Sequence, residues 1–251
     1  MAEILVTGAG SGFGKGTVIE LAERGHTVTA ATFLASEAEA LAAEHPGLST
    51  IVLDVTDQAS VAQVEDRTVD VLVNNAGRGL MAPLTSVPID EVRKTFDVNV
   101  FGMLAMCQAV IPGMKARGSG RIINVSSIAG ILSGAMSAPY AMTKHAVEAL
   151  SVAMREELAP YGIDVTKINP GPYLTGFNDR MVDGIEPYLE AGDEPAHAAH
   201  QFLKTVMENQ ADPNEIVQAI ADLAEADSTP VETFLPEGIR EMLQQVLDSR
   251  A

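Results

Sequence analysis

The chain has 251 residues, 47% of them hydrophobic and 20% charged, and its formal net charge is −18. This composition is that of a globular protein, and the length suffices for one large domain or two small ones. The negative charge argues against a nucleic-acid partner and offers no basic surface to an anionic membrane. The single cysteine, Cys107, excludes an internal disulfide and suits a reducing cytoplasm.

Two features bear on membranes and targeting. No apolar run approaches the roughly 18 residues that a membrane-spanning helix needs, and the longest, VFGMLAMCQAVI, stops at Pro112. The first residues, MAEILVTG, lack the basic region of a signal peptide. We therefore expect a cytoplasmic protein without a membrane segment.

Short β-branched runs alternate with helical patterns over the first 170 residues. Strands are predicted, in chain order, at EILVTG, HTVTAAT, LSTIVLDV, VDVLVNN, GRIINVSS and GIDVTKINP. Helices are predicted between them, the longest over residues 88–115. Strands that are continuous apolar runs, alternating with helices, predict an α/β fold with a parallel sheet covered on both faces.

The pattern changes after Pro170. Residues 173–212 show no clear strand, and a long irregular insertion of this kind predicts a lid or binding loop. A helix over 212–226, a strand at VETFLP and a terminal helix at GIREMLQQVL follow. We expect one domain over residues 1–251, with a cofactor-binding half at about 1–120, a catalytic and substrate half at about 121–251, and the C-terminal lid insertion at about 173–212.

The turn after the first predicted strand is rich in glycine. It reads TGAGSGFG, from Thr7 to Gly14, and it opens a helix. Glycines let the backbone approach a pyrophosphate, and a helix N-terminus offers free amides and the positive end of a dipole. After the first strand of a βαβ unit, this motif predicts dinucleotide binding and a Rossmann-type, doubly wound sheet. A tight structural turn is the alternative.

A second motif places Tyr140 and Lys144 four residues apart in a predicted helix, SAPYAMTKHAVEAL. Side chains at this spacing lie one turn apart and can act on a common point. An ammonium near a phenol favours the phenolate, so the pair has the right sign of charge for acid/base chemistry. The alternative is a core tyrosine with a lysine extending past it to solvent.

Together these motifs resemble the short-chain dehydrogenase/reductase family. The glycine spacing is TGxxxGxG, NNAG follows the fourth predicted strand, VSS ends the fifth, YxxxK follows, and NPGPYLT lies after the sixth. The motifs occur in the family's order from residue 3 to about residue 176. Beyond that point only the general architecture matches. It implies an oxidoreductase that transfers a hydride between a nicotinamide cofactor, NAD(H) or NADP(H), and a carbonyl or secondary alcohol.

The resemblance implies a catalytic role for four residues. Tyr140 would be the acid/base, and Lys144 would lower its pKa and hold the nicotinamide ribose. Ser127, thirteen residues before the tyrosine, would stabilise the substrate oxygen, with Ser126 as the alternative. Asn99 would hold a proton-relay water, unless it merely bends its helix.

Further contacts are expected from the same resemblance. Asp54 would bind the adenine amino group, unless it only caps the next helix, and Asn74 would be structural. The expected cofactor contacts are Gly8, Ser11, Gly12, Phe13, Gly14, Thr32, Asp54, Val55, Asn75, Ala76, Gly77, Tyr140, Lys144, Pro170, Gly171, Tyr173 and Thr175. The expected substrate pocket consists of Arg78, Met81, Met136, Pro172 and Tyr173.

That pocket predicts a mainly apolar small-molecule substrate. Arg78, directly after NNAG, would either meet an anionic group at the mouth of the pocket or lie at a solvated rim, paired to the lid. The identity of the substrate does not follow from the sequence.

The sequence carries neither usual signal for the choice between NAD(H) and NADP(H). Thr32 stands where NAD-dependent members carry an acidic residue. Phe33, Leu34 and Ser11 stand where NADP-dependent members carry a cation, and Lys15 is the one cation nearby. We favour NAD(H), because a 2′-phosphate would meet no guanidinium in an acidic protein.

Other functions have weaker support. His197 and His200 share a predicted helix face without a placed carboxylate, so we expect no metal site. The alternative function is a non-redox relative, either a lyase or a cofactor-sensing regulator, but such lyases replace the lysine and lose the glycine motif. Family members usually pair through two long helices, here about 88–115 and 138–160, so the resemblance implies a homodimer or homotetramer.

Overall fold

Seven strands form one parallel sheet in the computed structural model of the chain, which describes residues 1–250. The strands are β1 (Glu3–Thr7), β2 (Thr27–Thr32), β3 (Ser49–Val52), β4 (Val71–Asn74), β5 (Gly120–Val125), β6 (Ile163–Pro170) and β7 (Glu232–Leu235). Their order in the sheet is β3-β2-β1-β4-β5-β6-β7, and every neighbouring pair is parallel. The doubly wound Rossmann-type sheet predicted from the sequence is confirmed.

Helices connect the strands, as the alternating pattern predicted. Those assigned within residues 1–250 are α1 (Gly12–Glu23), α2 (Ala35–Glu44), α3 (Gln58–Val61), α4 (Ile89–Phe96), α5 (Met103–Arg117), α6 (Ala138–Leu158), α7 (Phe177–Asp183), α8 (Glu194–Val206), α9 (Asn214–Glu225) and α10 (Ile239–Asp248). A π-helical stretch, Asp97–Gly102, joins α4 to α5 without a break.

The sheet separates two hydrophobic cores, because successive side chains of a strand point to opposite faces. In β1, Ile4 and Val6 enter one core, and Leu5 enters the other. Helices α1 and α9 cover the first face, where Val18 is fully buried. Helices α5 and α6 cover the second face, where Met106 is fully buried. Burial on both faces explains why the strand sequences are almost continuously apolar.

The helical stretch Ile89–Arg117 differs from its prediction in one respect. It continues through Pro112, and by length and composition alone it could cross a membrane, with a mean hydropathy of 1.3 over its most apolar 18 residues. Core helices of globular proteins share this property, and here Met106, Cys107 and Val110 pack against the sheet. The expectation that no such stretch exists is therefore wrong, although its apolar residues serve the core.

Residues 173–212 contain no strand, as expected, but they are more regular than the sequence indicated. They form α7, a 3-10 turn at Glu186–Tyr188, and α8. Asp193 starts α8 by accepting a hydrogen bond from the Ala196 amide at 3.1 Å. A single β-bridge between Tyr173 and Ala211 joins the two ends of the segment.

Candidate active site

A cleft of about 520 Å³ opens at the carboxyl ends of β1, β4, β5 and β6. The strand order reverses between β1 and β4, since β2 and β3 lie on one side of β1 and the later strands on the other. Open α/β sheets bind ligands at such a switch point, and the volume is in the range of small-molecule sites.

The glycine turn forms the floor of this cleft. Gly8 and Gly12 have φ values of +65° and +54°, a region that side chains rarely adopt. A Cβ at Gly8 would lie 2.8 Å from the Cα of Ala76, whereas one at Gly14 would lie 2.3 Å from the carbonyl oxygen of Gly8. Gly14 is therefore a packing residue between helix and strand and does not line the cleft, contrary to expectation.

The start of α1 is left open toward the cleft. The side chain of Ser11, which precedes the helix, makes no capping hydrogen bond, so the first amides stay available. A backbone loop without side chains, followed by free helix amides, is the arrangement that a pyrophosphate needs. This part of the structure fits a dinucleotide.

The β1 and β4 turns are tied together below the cleft. The buried Thr7 hydroxyl accepts hydrogen bonds from the Asn75 and Ala76 amides at 3.0 and 3.1 Å. The Asn75 side chain donates to the carbonyls of Thr7 and Gly8 at 3.0 and 3.1 Å. Deeper in the sheet, Asn74 bonds Asn124 at 2.9 Å, the structural role expected for it.

Most of the site residues expected from the sequence line this cleft. They are Gly8, Ser11, Gly12, Phe13, Asp54, Val55, Asn75, Ala76, Gly77, Arg78, Ser127, Tyr140, Lys144, Pro170, Gly171 and Thr175. The cleft thus brings together residues from the ends of five strands, the start of α6 and the 173–212 segment.

Tyr140, Lys144 and Ser127 meet at one end of the cleft. Tyr140 and Lys144 lie in the first turns of α6 and are both nearly buried. The Lys144 ammonium lies 5.6 Å from the centre of the Tyr140 ring and donates to the Val125 carbonyl at 2.8 Å. Ser127, just after β5, lies close enough to Tyr140 for its hydroxyl to lower the pKa of the phenol. The three groups therefore surround a common point.

Burial has the largest effect on the pKa values of Tyr140 and Lys144. It raises the pKa of Tyr140 above its ordinary value, and the nearby Ser127 hydroxyl opposes that increase. Burial also lowers the pKa of Lys144 to about 8, against the charge of Glu148, which raises it. The expected lowering of the Tyr140 pKa by Lys144 is not found in the protein alone, where burial of the phenol outweighs the groups around it.

The two serines after β5 have different partners. The Ser127 hydroxyl faces Tyr140 and accepts a hydrogen bond from the Ala129 amide at 3.1 Å. Ser126 is 3% exposed and donates to the carboxylate of Glu148. Of the two, Ser127 is placed to meet a substrate at the tyrosine.

Asn99 lies in the π-helical stretch, and its side chain does not line the cleft. Its Oδ1 accepts from the Arg78 amide at 2.7 Å, and its Nδ2 donates to the Arg78 carbonyl and the Thr143 hydroxyl at 2.9 and 3.0 Å. The side chain thus ties the turn after β4 to α6, with both of its amide hydrogens donated. The Asn99 side chain therefore has a structural role, as the alternative interpretation expected.

Two expected cofactor contacts point away from the cleft. The Thr32 side chain is buried, and its hydroxyl donates to the Leu34 carbonyl at 3.1 Å. The Tyr173 ring is 1% exposed, packs edge-on against Phe13, and donates its hydroxyl to Glu215 at 2.6 Å. Neither side chain lines the cleft, because core packing and internal hydrogen bonds occupy both groups.

The expected substrate pocket also needs correction. Met81 and Met136 do not line the open cleft but form a buried cluster with Tyr140 and Met181 of α7. Pro172 does not line it either, and its carbonyl accepts from the Ala211 amide at 3.0 Å. Tyr173, as described above, lies in the core. The 173–212 segment covers the two methionines and thereby closes this side of the cleft.

Arg78 and Asp54 line the cleft but also have local partners. The Arg78 guanidinium forms an ion pair with Glu91 of α4 rather than with the 173–212 segment. Asp54 accepts from the amide and hydroxyl of Thr56 at 2.9 and 2.7 Å, while Asp57 is the residue that caps α3. The alternative that Asp54 caps the helix is therefore wrong.

The remaining candidates have ordinary roles. Lys15 forms an ion pair with Glu44 at 2.6 Å and does not line the cleft. His197 and His200 contact the carbonyls of Glu190 and Val182, and residues 1–250 contain no metal-ligating cluster of His, Cys, Asp and Glu.

Sequence reasoning missed several cleft residues. These are Gly10, Phe33, Glu37, Leu53, Val98, Val125, Ser126, Phe177, Asn178 and Arg180. Glu37 is the most informative: it lies in the first turn of α2, and a Cβ at Gly10 would be 2.4 Å from its Oε2. The sequence did contain a signal for this contact, because Glu37 is the first acidic residue after β2. Whether its side chain reaches the glycine turn depends on the conformation of the loop between β2 and α2.

Comparisons with known proteins show which family the chain belongs to. Residues 2–185 match the family described as short chain dehydrogenase. The chain belongs to the short-chain dehydrogenase/reductase family. It is 34% identical to 3-ketodihydrosphingosine reductase of Bacteroides thetaiotaomicron, over 92% of this chain and 86% of that protein. It is 33% identical to human 17-beta-hydroxysteroid dehydrogenase type 1, over 98% of this chain and 80% of that protein.

Solved structures of this family superpose closely. A short-chain dehydrogenase from Streptomyces avermitilis has a TM-score of 0.85 and 30% identity, covering 99% of this chain and 93% of that one. Serine dehydrogenase complexed with NADP⁺ has a TM-score of 0.80 and 28% identity, covering 93% and 94%. NAD⁺-bound xylitol dehydrogenase has a TM-score of 0.79 and 29% identity, covering 94% and 98%.

Family membership establishes the class of reaction. The chain is an oxidoreductase that transfers a hydride between a nicotinamide cofactor and an alcohol or carbonyl group. The non-redox alternative is not favoured. The open glycine turn and the free start of α1 fit such a cofactor, which supplies the hydride chemistry when bound.

Proposed function

We propose that Tyr140 is the acid/base of this oxidoreductase, that Ser127 donates a hydrogen bond to the substrate oxygen, and that Lys144 holds the nicotinamide ribose. The observation that carries the proposal is the meeting of these three side chains at one end of the cleft, beside the strand switch point. The Ser127 hydroxyl lies close enough to Tyr140 to lower the pKa of the phenol, so both hydroxyls are placed near one position where a reacting oxygen fits.

The proton then moves at the Tyr140 hydroxyl. During carbonyl reduction the substrate oxygen gains negative charge, Ser127 stabilises that charge, and Tyr140 gives its proton. Burial holds the proton on Tyr140 near neutral pH, which suits the reductive direction. In the oxidative direction the phenolate must form, and the Lys144 ammonium favours it. We assign the relay water to the main chain of Asn99, because both amide hydrogens of its side chain are already donated, to the Arg78 carbonyl and the Thr143 hydroxyl.

We propose that the enzyme prefers NAD(H) and that Glu37 is the reason. The Glu37 carboxylate reaches over Gly10 of the phosphate-binding turn and lines the cleft. A carboxylate there accepts hydrogen bonds from ribose hydroxyls and repels a 2′-phosphate. Lys15, the cation that could have neutralised such a phosphate, is paired with Glu44.

Steady-state kinetics with both cofactors test this preference. We expect kcat/KM to be about tenfold or more higher with NADH than with NADPH, and Glu37→Gln to reduce that ratio at least about fivefold, since the amide keeps its size but not its charge. Glu39→Gln, an exposed change on the same helix, is the matched control. A wild-type enzyme that prefers NADPH would contradict the assignment.

We propose a mainly apolar substrate and a lid formed by residues 173–212. Tyr140 is the polar member of a cluster otherwise made of apolar side chains, with Met81, Met136 and Met181 beside it. Residues up to about 120 then serve cofactor binding, and those after it serve catalysis and substrate binding. A panel of ketones and secondary alcohols of increasing apolar size, followed by the absorbance of reduced nicotinamide, tests this. Faster turnover of small charged substrates would contradict it.

We also propose a cytoplasmic homo-oligomer without a nucleic-acid or membrane partner. Support comes from the charge of −18, the single, buried Cys107, and large apolar side chains exposed on the two long helices. Phe101 on the stretch Ile89–Arg117 is 59% exposed, and Val152 on α6 is 41% exposed.

A further inference from the structure

A row of alternating charges runs from the catalytic lysine to the surface, through the edge of the sheet. It starts at Lys144 and passes through Glu148, one turn further along α6, to Lys167 of β6. It ends at Glu232 of β7 and Arg240 of α10. Lys167 is 4% exposed, so the middle of this row is buried and needs its partners.

Glu148 is the centre of this arrangement. Its Oε2 lies 2.7 Å from the Lys167 ammonium. Its Oε1 accepts from the Ser126 hydroxyl and, at 2.6 Å, from the Asn169 side-chain amide. One carboxylate thus joins the end of β5, just before Ser127, to the end of β6, just before Pro170, and both ends line the cleft.

The charge of Glu148 acts on Lys144. The Lys144 ammonium is buried, and its hydrogen bond goes to a neutral carbonyl, that of Val125. Glu148 is the acidic group whose field raises the Lys144 pKa against the effect of burial. Lys167 offsets part of that field, but Glu232 at 3.3 Å balances Lys167 from its other side. Tyr140, whose ring centre lies 5.6 Å from the Lys144 ammonium, is neutral when protonated.

We propose that Glu148 is a positioning residue of the reaction, which keeps the Lys144 ammonium charged for cofactor binding and fixes the strand ends that carry Ser127 and Pro170. The inference rests on the proposed role of Lys144 as the ribose-binding group. If Glu148 had only a structural role, it would hold the two strand ends in place, and the pH range over which the cofactor binds would not depend on its charge.

The pH dependence of NADH binding separates these roles. Because the pKa of Lys144 is about 8, its ammonium loses a proton as the pH rises through that value, and affinity for NADH falls. The negative charge of Glu148 raises the pKa of Lys144, so removing that charge lowers the pKa further. We expect Glu148→Gln to move the fall in NADH affinity to lower pH by roughly one unit, measured by NADH fluorescence between about pH 6 and 10.

Three further variants make the result interpretable. Glu148→Asp keeps the charge and should restore most of the wild-type pH profile. The double change Glu148→Gln with Lys167→Gln removes both members of the buried pair, so that neither is left unpaired. It should show a smaller shift in the same direction, because the opposing field of Lys167 is lost as well. Glu157→Gln, an exposed change further along α6, should leave the profile unchanged.

The outcomes distinguish the two proposals. A wild-type enzyme whose NADH binding does not fall at alkaline pH would overturn the role of Lys144. A wild-type fall that Glu148→Gln and the double variant leave in place would overturn the inference about Glu148 alone. A shift to lower pH in both variants, with Glu148→Asp near wild type, would support it.

Discussion

At the scale of single residues, the two tyrosines near the cleft show what sequence can and cannot reveal. Tyr140 was found because the YxxxK spacing implies a shared helix face, which is a local property. Tyr173 was misassigned because its neighbours in sequence, Pro172 and Leu174, do not reveal that its ring turns into the core toward Glu215. Glu37 was missed for a similar reason, since its contact with Gly10 spans two elements.

The choice between the two serines gives a residue-scale prediction. Ser127→Ala should lower kcat by about 10² or more, because the hydroxyl that meets the developing alkoxide is lost. Ser126→Ala should lower kcat much less, since its hydroxyl bonds Glu148 away from Tyr140. Single-turnover rates with saturating cofactor measure both. If Ser126→Ala were the slower enzyme, the assignment of the serines would have to be reversed.

At the scale of elements, the strands and most helices could be predicted from the local sequence pattern. Parallel strands that are buried on both faces have almost continuously apolar sequences. The segment 173–212 could not be predicted in this way, since α7 and α8 gain their order from packing. Met181 of α7 contacts the region of Gly79, where a Cβ would lie 2.9 Å from its sulfur. The helical stretch through Pro112 likewise shows tertiary packing overriding a local stop signal.

This packing predicts how the proposed lid is held. Met181→Ala should raise the substrate KM several-fold and speed proteolysis within residues 173–212, because the buried side chain that holds α7 against Tyr140 is removed. The melting temperature should change little, since the sheet cores are untouched. Met242→Ala, at an exposed methionine of α10, is the control. Unchanged proteolysis in Met181→Ala would show that this methionine does not hold the lid.

At the scale of the whole molecule, the single sheet and the position of the cleft were predictable from the βαβ order and the glycine turn. The exposure of apolar surface was not predictable in this way. Several large apolar side chains of the long helices lie exposed, among them Ile89, Phe101 and Met142, and sequence periodicity does not show whether a partner covers them.

These exposed side chains predict self-association. Light scattering at micromolar concentration should report a dimer or tetramer of the 26.4 kDa chain. Phe101→Glu should shift it toward the monomer, because a carboxylate cannot be buried without a partner. Phe202→Glu, at an equally exposed position on α8, should not. A monomer at these concentrations for the unmodified chain would rule out the proposed assembly.

The most direct test of the central claim is the turnover of Tyr140→Phe. This change removes only the transferable proton, so the variant should fold, bind NADH with nearly wild-type affinity and lose about 10² or more in kcat. Tyr161→Phe, at an exposed tyrosine just after α6, should retain full activity. Retention of more than about a tenth of wild-type kcat by Tyr140→Phe, with NADH binding intact, would contradict the assignment of Tyr140 as the acid/base.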